Sequence, residues 1–327
     1  MNKELLDKYV AAGEIHYKVR EYITPKLTNG TKLIDICHLI ESKIKDMSTQ
    51  PQINNGVAFP TGIGINSVVA HYTPPYDSTK TLRDSDVCKI DYGVHIDGCI
   101  IDSAFTVNLN NKYNPVLDAS RAAVDAIIKE VGVDSRFYDL SEISKEIVES
   151  YEIEINKKIK QLKPVNNICG HNIKQWNIHG GKLLYGIPQK DDTQKVEEDD
   201  ILAIEIFASS GCGTCILDRN EKNYSHFMLK NDLSNVFNDN IPLFRNKKTT
   251  ELYKMIKKNF KTLPFCPRFM DNIFTKHIDH TTNLKELFNN QIINCYPPLI
   301  EKDPTALVAQ FEETIYVGDK KIILSQN

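Results

Sequence analysis

Apolar residues recur through the first fifty positions with the period of a helix, and the spacing predicts two amphipathic helices. In residues 3 to 23, Leu6, Val10, Ile15, Val19, Tyr22 and Ile23 fall near one stripe, and Pro25 ends the run. Thr31 then reads as the cap of a second helix whose buried side is Leu33, Ile36, Cys37, Ile40, Ile44 and Met47, with Asn54-Asn55-Gly56 as the break. From 87 to 108 the pattern changes to strand: two β-rich runs flank Asp97-Gly98, a strong hairpin signal. Helical spacing returns at 115 to 131 and at 140 to 151, where Asp139 and Glu142 form a capping-box pattern. Residues 201 to 208 are apolar on both parities except at Glu205, as expected of a strand buried on both faces, and a last strand pattern covers 306 to 318. About a hundred residues lie between those two strands, with helical runs at 249 to 260 and 282 to 290 and a Pro/Cys-rich stretch near 264 to 267. That is too long for a loop and reads as an inserted subdomain. The order predicts an α+β fold with helices covering one face of a largely antiparallel sheet.

Composition narrows the classes. The chain has 327 residues, 41% of them hydrophobic and 25% charged, which suits a packed core and excludes a fibrous or disordered protein. Forty Lys and Arg against 43 Asp and Glu give a net charge of −3, too balanced for binding nucleic acid through bulk charge. No apolar run approaches the roughly 18 residues of a membrane span, and the charged start lacks the apolar core of a signal peptide, so a cytoplasmic location is expected. The 8 Cys are scattered and read as reduced thiols. Cys212-Gly-Thr-Cys215 has redox or zinc spacing, but no second CxxC or CxxH accompanies it.

Candidate chemistry comes from acids placed where strands should be apolar: Asp91 and Asp102 in the hairpin, Glu205 in the doubly buried strand, Glu312 in the last strand. With Asp97 and Gly98 as the centre of a two-residue turn, Asp91 opposes Ala104 and Asp102 is its diagonal neighbour on the same face. A three-residue turn would separate the two carboxylates onto opposite faces. Clustered buried carboxylates need a countercharge, because desolvation and mutual repulsion both disfavour their ionised forms. With His171 they make an oxygen-rich set with one imidazole, suited to Mn, Fe, Co or Zn.

Ordered motifs then carry a resemblance. Gly56-Val-Ala-Phe-Pro-Thr-Gly62, Ala70-His-Tyr-Thr-Pro74, Lys89-Ile-Asp-Tyr-Gly93, Ile100-Ile-Asp-Ser-Ala-Phe-Thr106, Gly170-His171, Ile178-His179, Ala203-Ile-Glu-Ile-Phe207, Tyr224-Ser-His-Phe-Met228, Tyr296-Pro-Pro-Leu299 and Ala309-Gln-Phe-Glu-Glu-Thr-Ile315 resemble the type 2 methionine aminopeptidases. The resemblance runs from about residue 5 to the C-terminus and implies the pita-bread fold, a pseudo-twofold antiparallel sheet covered by helices. It divides the chain into a catalytic domain, 1–223 with 296–327, and a type 2 helical insertion, 224–295.

The resemblance also implies roles. Two divalent metal ions would be held by Asp91, Asp102, His171, Glu205 and Glu312, with Asp102 and Glu312 bridging. His71 and His179 would be non-ligand catalytic histidines, and Glu205 would relay a proton from a metal-activated water. Phe59, Ile178, His226 and Tyr296 would line the pocket for a methionine side chain. The activity implied is removal of the initiator methionine when the second residue is small. Its partners would be the N-terminus of a nascent peptide and, transiently, the ribosome, with no membrane, no specific nucleic acid, and a monomeric state. Two other classes share the fold: non-catalytic homologues, which have lost metal ligands, and proline-specific peptidases, which usually carry an extra N-terminal domain. Cys169 and Lys174 depart from the family pattern, in which Asn and Gly are common at those places.

Overall fold

The computed structural model describes residues 1–48, 53–230, 241–274 and 280–326. Residues 231–240 and 275–279 of the expected insertion, and 49–52 and 327 of the expected catalytic domain, lie outside the described residues. Two helices open the chain, α1 (Lys3–Ile23) and α2 (Leu33–Met47), and a second pair follows the hairpin, α3 (Asn114–Glu130) and α4 (Phe137–Glu149). Among the described residues of the later part lie α5 (Lys247–Phe260), α6 (Pro267–Phe274) and α7 (Thr281–Asn289).

Seven strands build the spine of the central sheet: β1 (Asn55–Ile65), β2 (Cys88–Ile96), β3 (Cys99–Val107), β4 (Cys169–Ile173), β5 (Leu183–Tyr185), β6 (Asp200–Ser209) and β7 (Val308–Val317). Their spatial order is β1-β2-β3-β7-β6-β4-β5, with antiparallel pairing at every step. α1 and α2 pack on the β1–β3 half, while α3 lies on β6 and β7 and α4 reaches β5, so two helix pairs cover the two halves of the sheet. The expected α+β architecture, hairpin and buried strand are all present.

The hairpin turn is the one that keeps the carboxylates together. Asp97 and Gly98 both take positive φ, 48° and 77°, the pair of left-handed residues that a tight primed turn requires. Asp91 consequently pairs with Ala104 and Gly93 with Asp102. The acids at 91 and 102 share a face.

Three local expectations give way. Thr31 does not cap α2: its hydroxyl meets Thr28 and the Lys26 carbonyl, and Lys32 stands at the cap position without a side-chain bond. Asp139 does not cap α4, which begins at Phe137; its carboxylate instead takes two bonds from Arg136 on the preceding turn. The break expected at 54–56 is the start of β1, an edge strand that tolerates Pro60 because its pairing with β2 shifts register on both sides of Phe59.

The sheet's two halves meet between β3 and β7, in register at Ala104 and Glu312. On either side a threonine hydroxyl replaces the backbone ladder. Thr314 Oγ1 accepts from the Asp102 amide and donates to its carbonyl; Thr106 Oγ1 does the same for Gln310. A hydroxyl between two backbones spaces the strands more widely than a direct N–H to carbonyl bond. Asp102 and Glu312 stand at this seam.

Candidate functional site

Strand period sorts the residues of β7 by face. Glu313 points into the helix layer, where Arg20 of α1 and Arg121 of α3 meet its carboxylate at 3.2 and 3.5 Å and Ser103, Ser325 and Gln326 donate to it. Glu312, Gln310 and Thr314 share the opposite parity. There Glu312 joins two groups of donor atoms: one with Asp102 and His171, one with Asp91 and Glu205, the atoms of each lying within 4.8 Å of one another. All five residues singled out as metal-ligating converge from β2, β3, β4, β6 and β7.

The electrostatics of this cluster are those of a site built around positive charge. Burial pushes the Asp91 carboxyl up to about 7, and burial with repulsion from its neighbours holds Asp102, Glu205 and Glu312 well above the ordinary carboxylate range. Oδ1 of Asp91 and Oε2 of Glu312 are buried with no hydrogen-bond partner. A buried acceptor left bare costs on the order of 1–3 kcal/mol, a cost that a cation removes. His171 has the right form for a ligand: burial first, and His179 second, lower its imidazole to about 3, so it is neutral and can offer a lone pair. Its Nε2 lies 3.6 Å from Asp102 Oδ2. The donor set therefore fits one or more divalent cations.

Above the acids lies a cavity of about 430 Å³, and every one of the eleven residues chosen from sequence lines it. His71 follows the short strand Val68–Ala70 and is held in the left-handed region at φ 61°, an unusual conformation for a residue with a Cβ. Its ring is 6.0 Å from His226 and 5.8 Å from Tyr296, and His179 packs edge-on against His171 at 4.6 Å. Burial lowers His71 to about 4 and His226 to about 3, and lowers His179 as well. All are neutral at pH 7.

His226 and Tyr296 face each other across a two-stranded ribbon, His226–Leu229 with Ile293–Tyr296. That ribbon roots a second apolar cluster, which includes Phe227, Ile256, Phe265, Leu287 and Ile293. Phe59 reaches the cavity across β2 at Gly93, where a Cβ would sit only 2.2 Å from its ring; any other residue there would expel the phenyl group. Of the two family departures, Cys169 lines the cavity, while Lys174 is exposed and is not part of that lining. Cys212 is exposed, Cys215 buried, and both are free thiols.

Sequence reading missed Gln310. Its side-chain amide donates to Glu205 Oε1 at 2.7 Å and to Asp91 Oδ2 at 3.3 Å. The signal was available: a polar residue two positions before Glu312 shares its face. Met228 and Pro264, both from the 224–295 segment, also line the cavity and had not been singled out.

Comparison with known proteins places this geometry. The family model described as "Metallopeptidase family M24" matches residues 7–227. The chain is 38% identical over 321 residues to methionine aminopeptidase 2 of Sclerotinia sclerotiorum, covering 96% of this chain and 69% of that protein. It is 38% identical over 316 residues to methionine aminopeptidase 2A of Arabidopsis thaliana, covering 96% and 68%. Among solved structures, a thermophilic Arx1 superposes with a TM-score of 0.80 at 17% identity, over 100% of this chain and 92% of that one. Methionine aminopeptidase from Thermotoga maritima superposes with a TM-score of 0.66 at 15% identity, over 100% and 98%. At those identities the superpositions speak for a shared fold, the pita-bread architecture. With the family match spanning more than half of the sequence and curated relatives aligned along nearly all of it, the chain belongs to metallopeptidase family M24, in its methionine aminopeptidase 2 branch.

Proposed function

We propose that this protein removes an N-terminal methionine from nascent polypeptides whose second residue is small, using two divalent cations held by Asp91, Asp102, His171, Glu205 and Glu312. The observation that carries the reading is the shared corner: Glu312 belongs to both donor groups, and a bare buried oxygen stands on it and on Asp91. The oxygen-rich set with one imidazole suits Co, Mn, Fe or Zn, and availability decides among them. Such ions, when bound, act as Lewis acids and bring water's pKa to near neutrality.

The chain's own groups account for the rest. Glu205 is the proton carrier of the reading, taking a proton at its carboxylate and returning it to the departing amine. His71 and His179, neutral at pH 7, are donors for the scissile amide and for the oxygen that gains charge during attack. Phe59, Ile178, His226 and Tyr296 form a largely apolar wall for the thioether side chain, in a cavity whose volume falls in the usual range of about 300–1,000 Å³ for small-ligand sites. The 224–295 segment acts as an insertion that closes this wall, a division supported by its separate apolar cluster.

Release of methionine from Met-Gly-Met and Met-Lys peptides, with Mn or Co added, tests the reading. Cleavage of the first and not the second is expected; equal cleavage of X-Pro peptides would overturn it.

A further inference from the structure

We infer that Gln310 is a positioning residue that aims two of the site's carboxylates, and that metal affinity depends on its amide. The inference rests on the metal reading above and adds a residue to it. Gln310 is almost fully buried, at 1% exposure, and a buried amide nitrogen carries two hydrogens that each need an acceptor. Here one hydrogen goes to Asp91 Oδ2 and the other to Glu205 Oε1. Those acids come from β2 and β6, strands that are not neighbours in the sheet. The amide is the bond that joins them.

Its effect on Asp91 is directional. With Oδ2 engaged by Gln310, the oxygen left over is Oδ1, which is buried and bare and belongs to the residue group shared with Glu205 and Glu312. A free aspartate could rotate either oxygen inward or turn both toward its neighbours; the amide selects one orientation before any ion arrives. Such preparation lowers the cost of ordering the ligands at binding. A donor is also the only useful partner here. Glutamate in the same place would add a fourth negative charge to the group of Asp91, Glu205 and Glu312, and methionine would give nothing to either acid.

Gln310 is in turn held from behind. Thr106 Oγ1 accepts from its backbone amide at 2.8 Å and donates to its carbonyl at 2.7 Å, so the seam between β3 and β7 fixes the backbone from which the amide reaches out. The side chain thus has a rigid base, a buried path and two acceptors at its tip, which is the arrangement of a brace rather than of a surface polar group.

The test is Gln310→Met, which keeps volume and loses both donors, with Gln310→Asn as a second variant whose shortened amide cannot span both acids. Full-length protein is stripped with chelator, checked for fold by circular dichroism, and titrated with Co(II) by calorimetry, with the visible ligand-field spectrum recorded alongside. The expected result is Co(II) affinity weaker by about 10- to 100-fold with an altered spectrum in Gln310→Met. Gln310→Asn, which is expected to fold even where the methionine variant does not, should lose at least several-fold. Folded variants with wild-type affinity and an unchanged spectrum overturn the inference. Wild-type protein that fails to bind Co(II) at all sinks the metal reading instead, so the two failures are distinct.

Discussion

Asp91→Asn offers the sharpest check on the idea that the site stores electrostatic cost in the absence of metal. In the folded chain burial raises the Asp91 carboxyl from 3.8 to about 7. A raised acid pKa means that, between those two values, the folded state keeps a proton that the unfolded state has released. Stability is therefore lost as pH rises through that window. At about 1.4 kcal/mol per pH unit the loss is on the order of 4 kcal/mol, complete above pH 7. The sign matters because the buried histidines act the other way: His16 and His71 are lowered to about 4 and His171 and His226 to about 3, so they weaken the fold as pH falls. Total stability mixes both trends.

The difference between wild type and Asp91→Asn removes the histidine contribution and reports the Asp91 carboxylate together with its repulsion of the neighbouring acids. Urea unfolding of chelator-treated protein at pH 4.5 and pH 8 should show the wild type losing roughly 3 kcal/mol relative to the variant between the two conditions, the unfolded carboxyl being already largely ionised at pH 4.5. The relief is reinforced because Asp91 is itself one cause of the raised pKa values of Asp102, Glu205 and Glu312. Saturating Mn or Co should cancel most of that loss, since a ligand at a hundred times its dissociation constant stabilises by about 2.7 kcal/mol and the variant, short of one ligand, should gain less. A wild-type-to-variant difference constant within about 1 kcal/mol from pH 4.5 to 8 would refute the reasoning from burial.

Other outcomes follow from neighbouring observations. Asp102→Asn should lose metal occupancy, read by metal analysis after dialysis, together with turnover; near-normal activity would remove its bridging role. His71→Ala should fold and bind Co(II) normally while kcat drops by about 10²- to 10⁴-fold, whereas unfolding would mark His71 as structural. Glu313→Ala should cost about 3–5 kcal/mol in urea unfolding, because the Arg20 and Arg121 charges at its carboxylate lose their shared partner. NMR titration of His16, stacked 4.1 Å from the Tyr92 ring and bonded to the Tyr92 carbonyl, should give a pKa near 4; a value above 6 would contradict its burial.

The hairpin shows how far sequence alone could reach. Asp-Gly favours a two-residue turn, and with that turn the register puts Asp91 and Asp102 on one face; the positive φ of both residues and the observed pairing exclude the three-residue alternative that the sequence left open. His171 was different: no periodicity places a residue of β4 beside the hairpin, and only the Gly-His motif in its ordered company pointed there. β1 was hidden because Asn, Pro and Gly in Asn55–Ile65 read as breakers, and an edge strand with shifted register accepts them. α6 was hidden for a related reason, its Pro267 lying at the helix start, where a missing amide costs nothing. The failed caps at Thr31 and Asp139 share a cause: a short polar side chain has several nearby partners, and the pattern does not say which wins.

Adjacent glutamates on β7 show how one strand serves two demands. Glu312 and Glu313 are both nearly fully buried, at 2% and 1% exposure, so neither solvent access nor composition tells them apart. The alternation of side chains sends Glu313 into a helix layer that supplies two guanidiniums, two hydroxyls and an amide, and its charge is answered there by the protein itself. Glu312 faces three other carboxylates and a neutral imidazole, with an oxygen bare, and among the described residues no cationic side chain pairs with it. The helix-facing glutamate locks α1 and α3 onto β7, which gives its neighbour a rigid place to stand. An isolated pair of buried acids is ordinarily ambiguous between scaffold and site. Here the period of the strand decides, because the same chain that neutralises one charge completely leaves the next bare among other acids, where a cation would fit.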